Sequence, residues 1–245
     1  MEIFLSPASW MALLTLTLLE IVLGVDNIIF ISIVTNKLEP NVQSKARFTG
    51  LALALIFRVV LLMGISYLIQ FTKPLMEIGS YELSGRDIIL FIGGLFLIAK
   101  STSEINQKME GASHDKEAKS APSFKMAIIQ IILLDIIFSF DSILTAVGLT
   151  TEIVLMVTAV VISMIIMMAF AGKISKVITN HPSLEVLGLS FLILIGFMLV
   201  VDALHYHVPK GYIYFAVFFS LFVQLINIRI RKKSEPVVLH KRIED

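Results

Sequence analysis

Four carboxylates stand where carboxylates are costly. The run EIVLGVDNIIFISIV, residues 20–34, is apolar enough to lie in lipid, yet it carries Glu20, Asp26 and Asn27. The run LDIIFSFDSILTAVG, residues 134–148, carries Asp135, Asp141 and Ser142, with the same six-residue step between its two acids. On insertion scales an acid at the centre of a bilayer costs about 2.5–3.5 kcal/mol. Arg58 is the one basic residue in the middle of an apolar run. Lys100 lies nearer the end of its run, from where a long side chain can reach water. Both are read as charge-balancing residues, Arg58 as the partner of one acid. The surplus negative charge calls for protons or a bound cation. Carboxylate, amide and hydroxyl oxygens suit hard divalent ions such as Mn²⁺, Ca²⁺ and Mg²⁺. No His or Cys lies deep in an apolar run, which disfavours Zn²⁺ and Cu⁺. Glu20, Asp26, Asn27, Asp135, Asp141 and Ser142 are therefore the candidate metal-ligating residues.

Helix geometry limits how they can act together. Six residues of α-helix span about 9 Å, while bonds from such ions to oxygen are only about 2.0–2.6 Å. One ion therefore needs carboxylates from both runs, or an unwound turn, which Gly24 in GVDN would permit. Counting along two oppositely running helices pairs Glu20 with Asp141 in depth, and Asp26 with Asp135. Metal and protons would compete for these carboxylates, which is a physical route to exchange of one for the other. The competing reading is a buried polar network that only locks helices together.

The elements that must position these residues follow from composition. The chain has 245 residues, 57% hydrophobic and 16% charged, and a mean hydropathy of +0.89. A soluble domain carries about 25% charged residues, so an integral membrane protein is expected. The net charge of +1 points to no nucleic-acid or acidic partner, and the absence of cysteine removes disulfides, thiolate metal sites and thiol catalysis. No cleavable leader is expected, because the start lacks a basic segment and the first apolar run is too long.

Seven apolar runs, at roughly 10–35, 48–71, 87–104, 124–149, 152–170, 184–203 and 211–228, can each cross a hydrocarbon core. A core about 30 Å thick needs about 20 residues of helix, and lipid offers a free backbone amide no partner. The runs at 87–104 and 152–170 are the shortest. Alternating sides, one face receives only Lys73, Arg86 and Lys210 in its loops. The other receives Lys37, Lys45, Arg47, Lys173, Lys176 and the lysines and arginines of the linker and tail. The positive-inside rule then places the N-terminus outside and the C-terminus in the cytoplasm. Trp10, Tyr206, Tyr212 and Tyr214 fit an interfacial belt, and His205 and His207 are read as interfacial too. Asp202, also near that outer end, is read as hydrated. The polar stretch 106–123, with His114 and Asp115, reads as a solvated linker.

The two acidic runs align without gaps: Glu20 on Asp135, Asp26 on Asp141, Asn27 on Ser142. LFIGGLFLIAK (90–100) matches LILIGFMLVVD (192–202) more weakly, pairing Gly94 with Gly196 and Lys100 with Asp202. Spans one to three thus repeat as spans four to six. Three is odd, so the second copy runs inverted, an arrangement that places transporter sites near the midplane where the repeats meet. The expected architecture is an all-α membrane protein of seven transmembrane helices, two inverted three-helix repeats plus one extra C-terminal helix. Its boundaries are a first repeat at 1–105, a cytoplasmic linker at 106–123, a second repeat at 124–204, a seventh helix at 205–228 and a basic tail at 229–245.

TLLEIVLGVDNIIFISIV and IIQIILLDIIFSFDSILTAVGL resemble the two signature segments of the TerC family of integral membrane proteins. SGRDIILFIGGLFLIAKSTSEI and HVPKGYIYFAVFFS extend the likeness over nearly all the chain up to the basic tail. The resemblance implies a bacterial cell membrane, and that the six candidate ligands line an ion path. It also implies export of manganese or, in eukaryotic relatives, calcium, with an association with tellurium resistance by name. The expected activity is export of a divalent cation, Mn²⁺ first, with Mn²⁺ or Ca²⁺ as cargo and no permanently bound cofactor. The expected partners are a divalent ion and the lipid bilayer, with no nucleic acid. An intramembrane aspartyl protease fits poorly, because GVDN and SFDS lack the GxGD pattern. A non-transporting partner that hands metal to secreted proteins, or serves in stress resistance, shares the acids and is the alternative.

Overall fold

The protein is described by a computed structural model covering residues 6–78, 81–109, 123–150, 152–206 and 208–231. For Val25, Asp26, Glu77, Ile78, Tyr81, Asp141, Lys210 and Arg231 it describes the backbone alone. Eight helices and one hairpin follow in chain order: α1 (Pro7–Asn36), α2 (Pro40–Met63), α3 (Ile65–Gln70), β1 (Pro74–Ile78), β2 (Tyr81–Ser84), α4 (Gly85–Met109), α5 (Phe124–Leu149), α6 (Ile153–Asn180), α7 (Pro182–Ala203) and α8 (Lys210–Arg231). All except the one-turn α3 are long and apolar enough to cross a membrane, which gives seven candidate spans among the described residues. The fold is that of an all-α membrane protein.

Helix starts follow local chemistry. Proline opens α1, α2 and α7, where its missing N–H would have no intrahelical partner and its fixed φ already suits a helix. Ser123 caps α5 by accepting from the Met126 N–H at 3.3 Å. Ser84 and Asp87 form a reciprocal cap on α4. The Ser84 hydroxyl accepts from the Asp87 N–H at 3.2 Å, and Asp87 accepts from the Ser84 N–H at 2.9 Å.

Several boundaries differ from those read in the sequence. The third and fifth spans are among the longer helices, at 25 and 28 residues, because polar residues at a helix end prolong it beyond the apolar stretch. Lys173 and Lys176 accordingly lie on α6, and Lys45 and Arg47 on α2, where loops were expected. Helix α4 runs to Met109, past the expected end of the first repeat at 105; residues 110–122 lie outside the described residues, as does the tail beyond Arg231. The expected loop at 72–86 contains the antiparallel pair β1–β2, with Glu77 opposite Glu82 and a bulge between Pro74 and Met76.

Residues 1–208 form one compact unit, and α8 belongs to a second. Within the first, α1 packs chiefly on α6 and α5 chiefly on α2, while α1 also meets α5, α2 meets α6, and α4 pairs with α7. Exchanging the two three-helix units turns the α1–α6 pair into α5–α2 and returns the other three pairs to themselves. The packing is thus consistent with inverted repeats. The α4–α7 crossing is made of backbone. A Cβ on Gly94 would stand 2.5 Å from the Gly196 carbonyl oxygen, and one on Gly196 would stand 2.8 Å from that of Gly94. These two glycines were matched by the internal repeat, and small residues are what let membrane helices approach so closely.

Gly94→Val should therefore force α4 and α7 apart and lower the unfolding temperature in detergent, at a cost of about 1–3 kcal/mol. Gly148→Ala, where an added Cβ meets nothing within 4 Å, should leave that temperature almost unchanged. Size-exclusion chromatography after graded heating reads both.

Candidate metal centre

Helices α1 and α5 carry the acids, and α2 lies against both. Glu20 on α1 is 2% exposed, Asp135 on α5 is 5% exposed and Arg58 on α2 is 2% exposed, so water screens none of the three. Arg58 engages both acids. One terminal guanidinium nitrogen donates to Glu20 Oε2 at 2.5 Å. Its Nε lies 3.1 and 3.3 Å from the two Asp135 oxygens, and the second terminal nitrogen is 3.1 Å from Asp135 Oδ1. The Ser139 hydroxyl donates to Asp135 Oδ2 at 3.2 Å. Only arginine presents donors in a fixed fork that can serve two carboxylates at once.

Arg58, read as the partner of one acid, engages two. Its guanidinium joins Glu20 to Asp135; the depth pairings of Glu20 with Asp141 and of Asp26 with Asp135 each involve a side chain outside the described residues. Asn27 and Ser142 are buried on the same two helices. The Ser142 hydroxyl is turned back to the Ser139 carbonyl at 3.3 Å. The side chains of Asp26 and Asp141 lie outside the described residues; the backbones of both are helical. Among the described residues no three His, Cys, Asp or Glu side chains gather as a metal site would. What does gather is two carboxylates and one guanidinium, a cluster with formal charge −1 inside an apolar bundle. Its carboxylate oxygens are of the kind hard divalent ions take.

The comparisons with known proteins bear on the whole chain. The model of the integral membrane protein TerC family matches residues 5–236. The chain belongs to the TerC family. Its relatives include the UPF0053 inner membrane protein YgdQ of Escherichia coli strain K12, 50% identical over 94% of this chain and 97% of that protein. A UPF0053 protein of Haemophilus influenzae is 45% identical over 92% of this chain and 96% of its own length. The inner membrane protein YoaE of Escherichia coli strain K12 is 43% identical over 93% of this chain and 44% of its own. No solved structure matches the chain. TerC membership and the seven candidate spans make this a multi-pass integral membrane protein.

The other ion pairs among the described residues lie toward the two ends of α4. Lys100 is placed away from the central acids. Its Nζ is 2.8 Å from Glu104 Oε1, one turn along α4, and Lys37 at the end of α1 pairs with the same carboxylate. Lys108 pairs with Glu185 of α7. Nearby, Asn36 donates to the Thr179 hydroxyl at 2.9 Å, and Arg47 donates to the Ser175 hydroxyl at 2.9 Å, which ties α1 and α2 to α6. At the hairpin end Arg86 donates to Asp202 at 2.5 Å and the His205 ring nitrogen Nε2 lies 3.0 Å from Asp87 Oδ2. Asp202, read as hydrated, and His205, read as interfacial, are thus joined to α4. His205 also has φ +62°. It closes α7 with its N–H bonded to the Asp202 carbonyl and that of Tyr206 bonded to the Val201 carbonyl, a C-terminal motif that usually places glycine there. The SxxD cap in SGRD was the one signal in the sequence for this group.

The cluster arithmetic orders two substitutions. Arg58→Met leaves two facing carboxylates without a counter-charge and should cost about 3–5 kcal/mol of stability. Asp135→Asn leaves Arg58 matched by Glu20 and should cost clearly less. Chemical unfolding in detergent should show that order, and equal losses would contradict the charge count.

Proposed function

We propose that this TerC-family protein is a secondary transporter that exports divalent cations, Mn²⁺ first among them, across the inner membrane of a bacterium. The observation that carries this reading is the excess carboxylate charge buried where helices of the two repeats meet, around Glu20 and Asp135. Asp26 and Asp141 lie six residues further along the same helices, at about 9 Å by helix rise, and extend the acidic path in both directions. Asn27 and Ser142 supply neutral oxygens on those helices. The cation enters by one acid pair, passes to the other and leaves as the repeats rock against each other. Protons taken up by Asp26 and Asp141 when metal is absent provide the exchange partner, since Arg58 occupies Glu20 and Asp135. The protein works as a carrier and not as an enzyme, and it holds no permanent cofactor. The inner membrane is assigned from the names of its relatives in Escherichia coli. The outward direction is taken from the family resemblance alone, and the distribution of lysine and arginine orients only the chain, with its tail in the cytoplasm.

A second reading has an observation in its favour. Arg58 already engages two of the acids, as a helix-locking network would. The protein would then bind metal without moving it and deliver it to another membrane or secreted protein.

Mn²⁺ flux into proteoliposomes containing this protein alone separates the two. Transport predicts flux that falls at least tenfold in Asp26→Asn and Asp141→Asn; bound metal without flux favours delivery. In cells, the same variants should raise internal Mn²⁺ and lower manganese tolerance, and unchanged values of both would refute this route. A C-terminal green fluorescent protein fusion should fluoresce, and an alkaline phosphatase fusion at the same place should be inactive, if the tail is cytoplasmic.

A further inference from the structure

Arg58 is the largest of the fully buried side chains among the described residues. We propose that its guanidinium is a tethered stand-in for the transported cation: it holds the Glu20 and Asp135 carboxylates while the site lacks metal, and a divalent ion gains those oxygens by displacing it. This inference rests on the transport reading and deepens it.

Three features carry it. The first is position. The guanidinium lies between the equivalent acids of the two repeats, 2.5 Å from one and 3.1 Å from the other. A metal ion bridging the repeats would need that place. The second is the tether. Arg58 stands on α2, whereas the acids stand on α1 and α5. Its flexible stem can therefore withdraw the charge without moving either acid-bearing backbone, and Ser139, on the same helix as Asp135, bonds that acid independently of the arginine. The third is charge. With Arg58 in place the pair of carboxylates carries −1; with a divalent ion in its stead it carries 0. Both states are tolerable in a dry core, whereas the bare pair at −2 is not. A monovalent cation offers the carboxylates no more charge than the arginine already does. A divalent ion offers twice as much, so the tether selects divalent over monovalent ions and keeps the empty carrier from standing open with bare acids.

Mn²⁺ binding to the purified full-length protein in detergent, measured by equilibrium dialysis, tests this. Arg58→Lys keeps one charge but loses the fork, and should bind Mn²⁺ more tightly than the wild type. Arg58→Ala should bind at least about tenfold more tightly, equivalent to about 1.4 kcal/mol. Millimolar guanidinium added to Arg58→Ala should compete with Mn²⁺ and return its affinity toward that of the wild type, while leaving the wild type unaffected. An arginine that only holds helices together predicts weaker binding in both variants and no competition, and either result overturns the proposal. Should Arg58→Ala fail to fold, Arg58→Lys decides alone: affinity equal to or below that of the wild type refutes the tether. Wild-type protein that binds no Mn²⁺, or whose binding survives Asp135→Asn unchanged, sinks the transport reading and the tether with it. Binding that needs Asp135 but does not tighten in Arg58→Lys sinks the tether alone.

Discussion

Two carboxylates cannot face each other in an apolar bundle unless something positive stands between them. Here it is Arg58, which reaches Glu20 on one side and Asp135 on the other. Much of the surrounding packing follows from that requirement. Helix α2 must lie against both acid-bearing helices, and α1 and α5 must approach each other closely enough for one planar group to serve both. A buried ion pair of this kind adds little net stability over apolar packing, but loss of one partner is severe. The contact it makes joins three helices, α1, α2 and α5, through one side chain.

The remainder of the bundle is built around this group from equivalent parts. Gly94 and Gly196 occupy matching positions in the two repeats, and their backbones touch where α4 crosses α7. Glycine serves there because any Cβ would meet a carbonyl oxygen. Glu20 and Asp135, also matched, meet across the arginine. Matched residues meeting one another is consistent with an axis relating inverted repeats. Arg58 breaks the equivalence, because a single side chain cannot obey a two-fold relation between two acids. In the proposed transport, that asymmetry gives the empty carrier a definite resting contact.

The two ends of the bundle are fastened by ion pairs that involve α4. At one end Lys37 and Lys100 share Glu104, and Lys108 meets Glu185. At the other, Arg86 and Asp87 hold Asp202 and His205. The left-handed conformation of His205 carries a steric cost for a side chain with a Cβ, and the contact between its ring and Asp87 is the compensation the structure shows. These pairs lie toward the helix ends, and their buried acids Asp87, Glu104 and Glu185 each face a basic side chain.

The sequence by itself determined the membrane class, the seven apolar spans, the internal repeat and the identity of the acids, because each is written in local composition and spacing. Hydropathy reports the solvent of each segment, and the six-residue step recurs whatever the fold. It also marked Arg58 as the lone central cation. Tertiary structure decided who meets whom. That Arg58 serves both Glu20 and Asp135, that Lys37 reaches Glu104, and that Asp202 finds Arg86 all depend on contacts between residues distant in the chain. Helical periodicity fixes which face of a helix a residue occupies; it carries no information about the neighbour on that face, since that depends on how several helices cross at once.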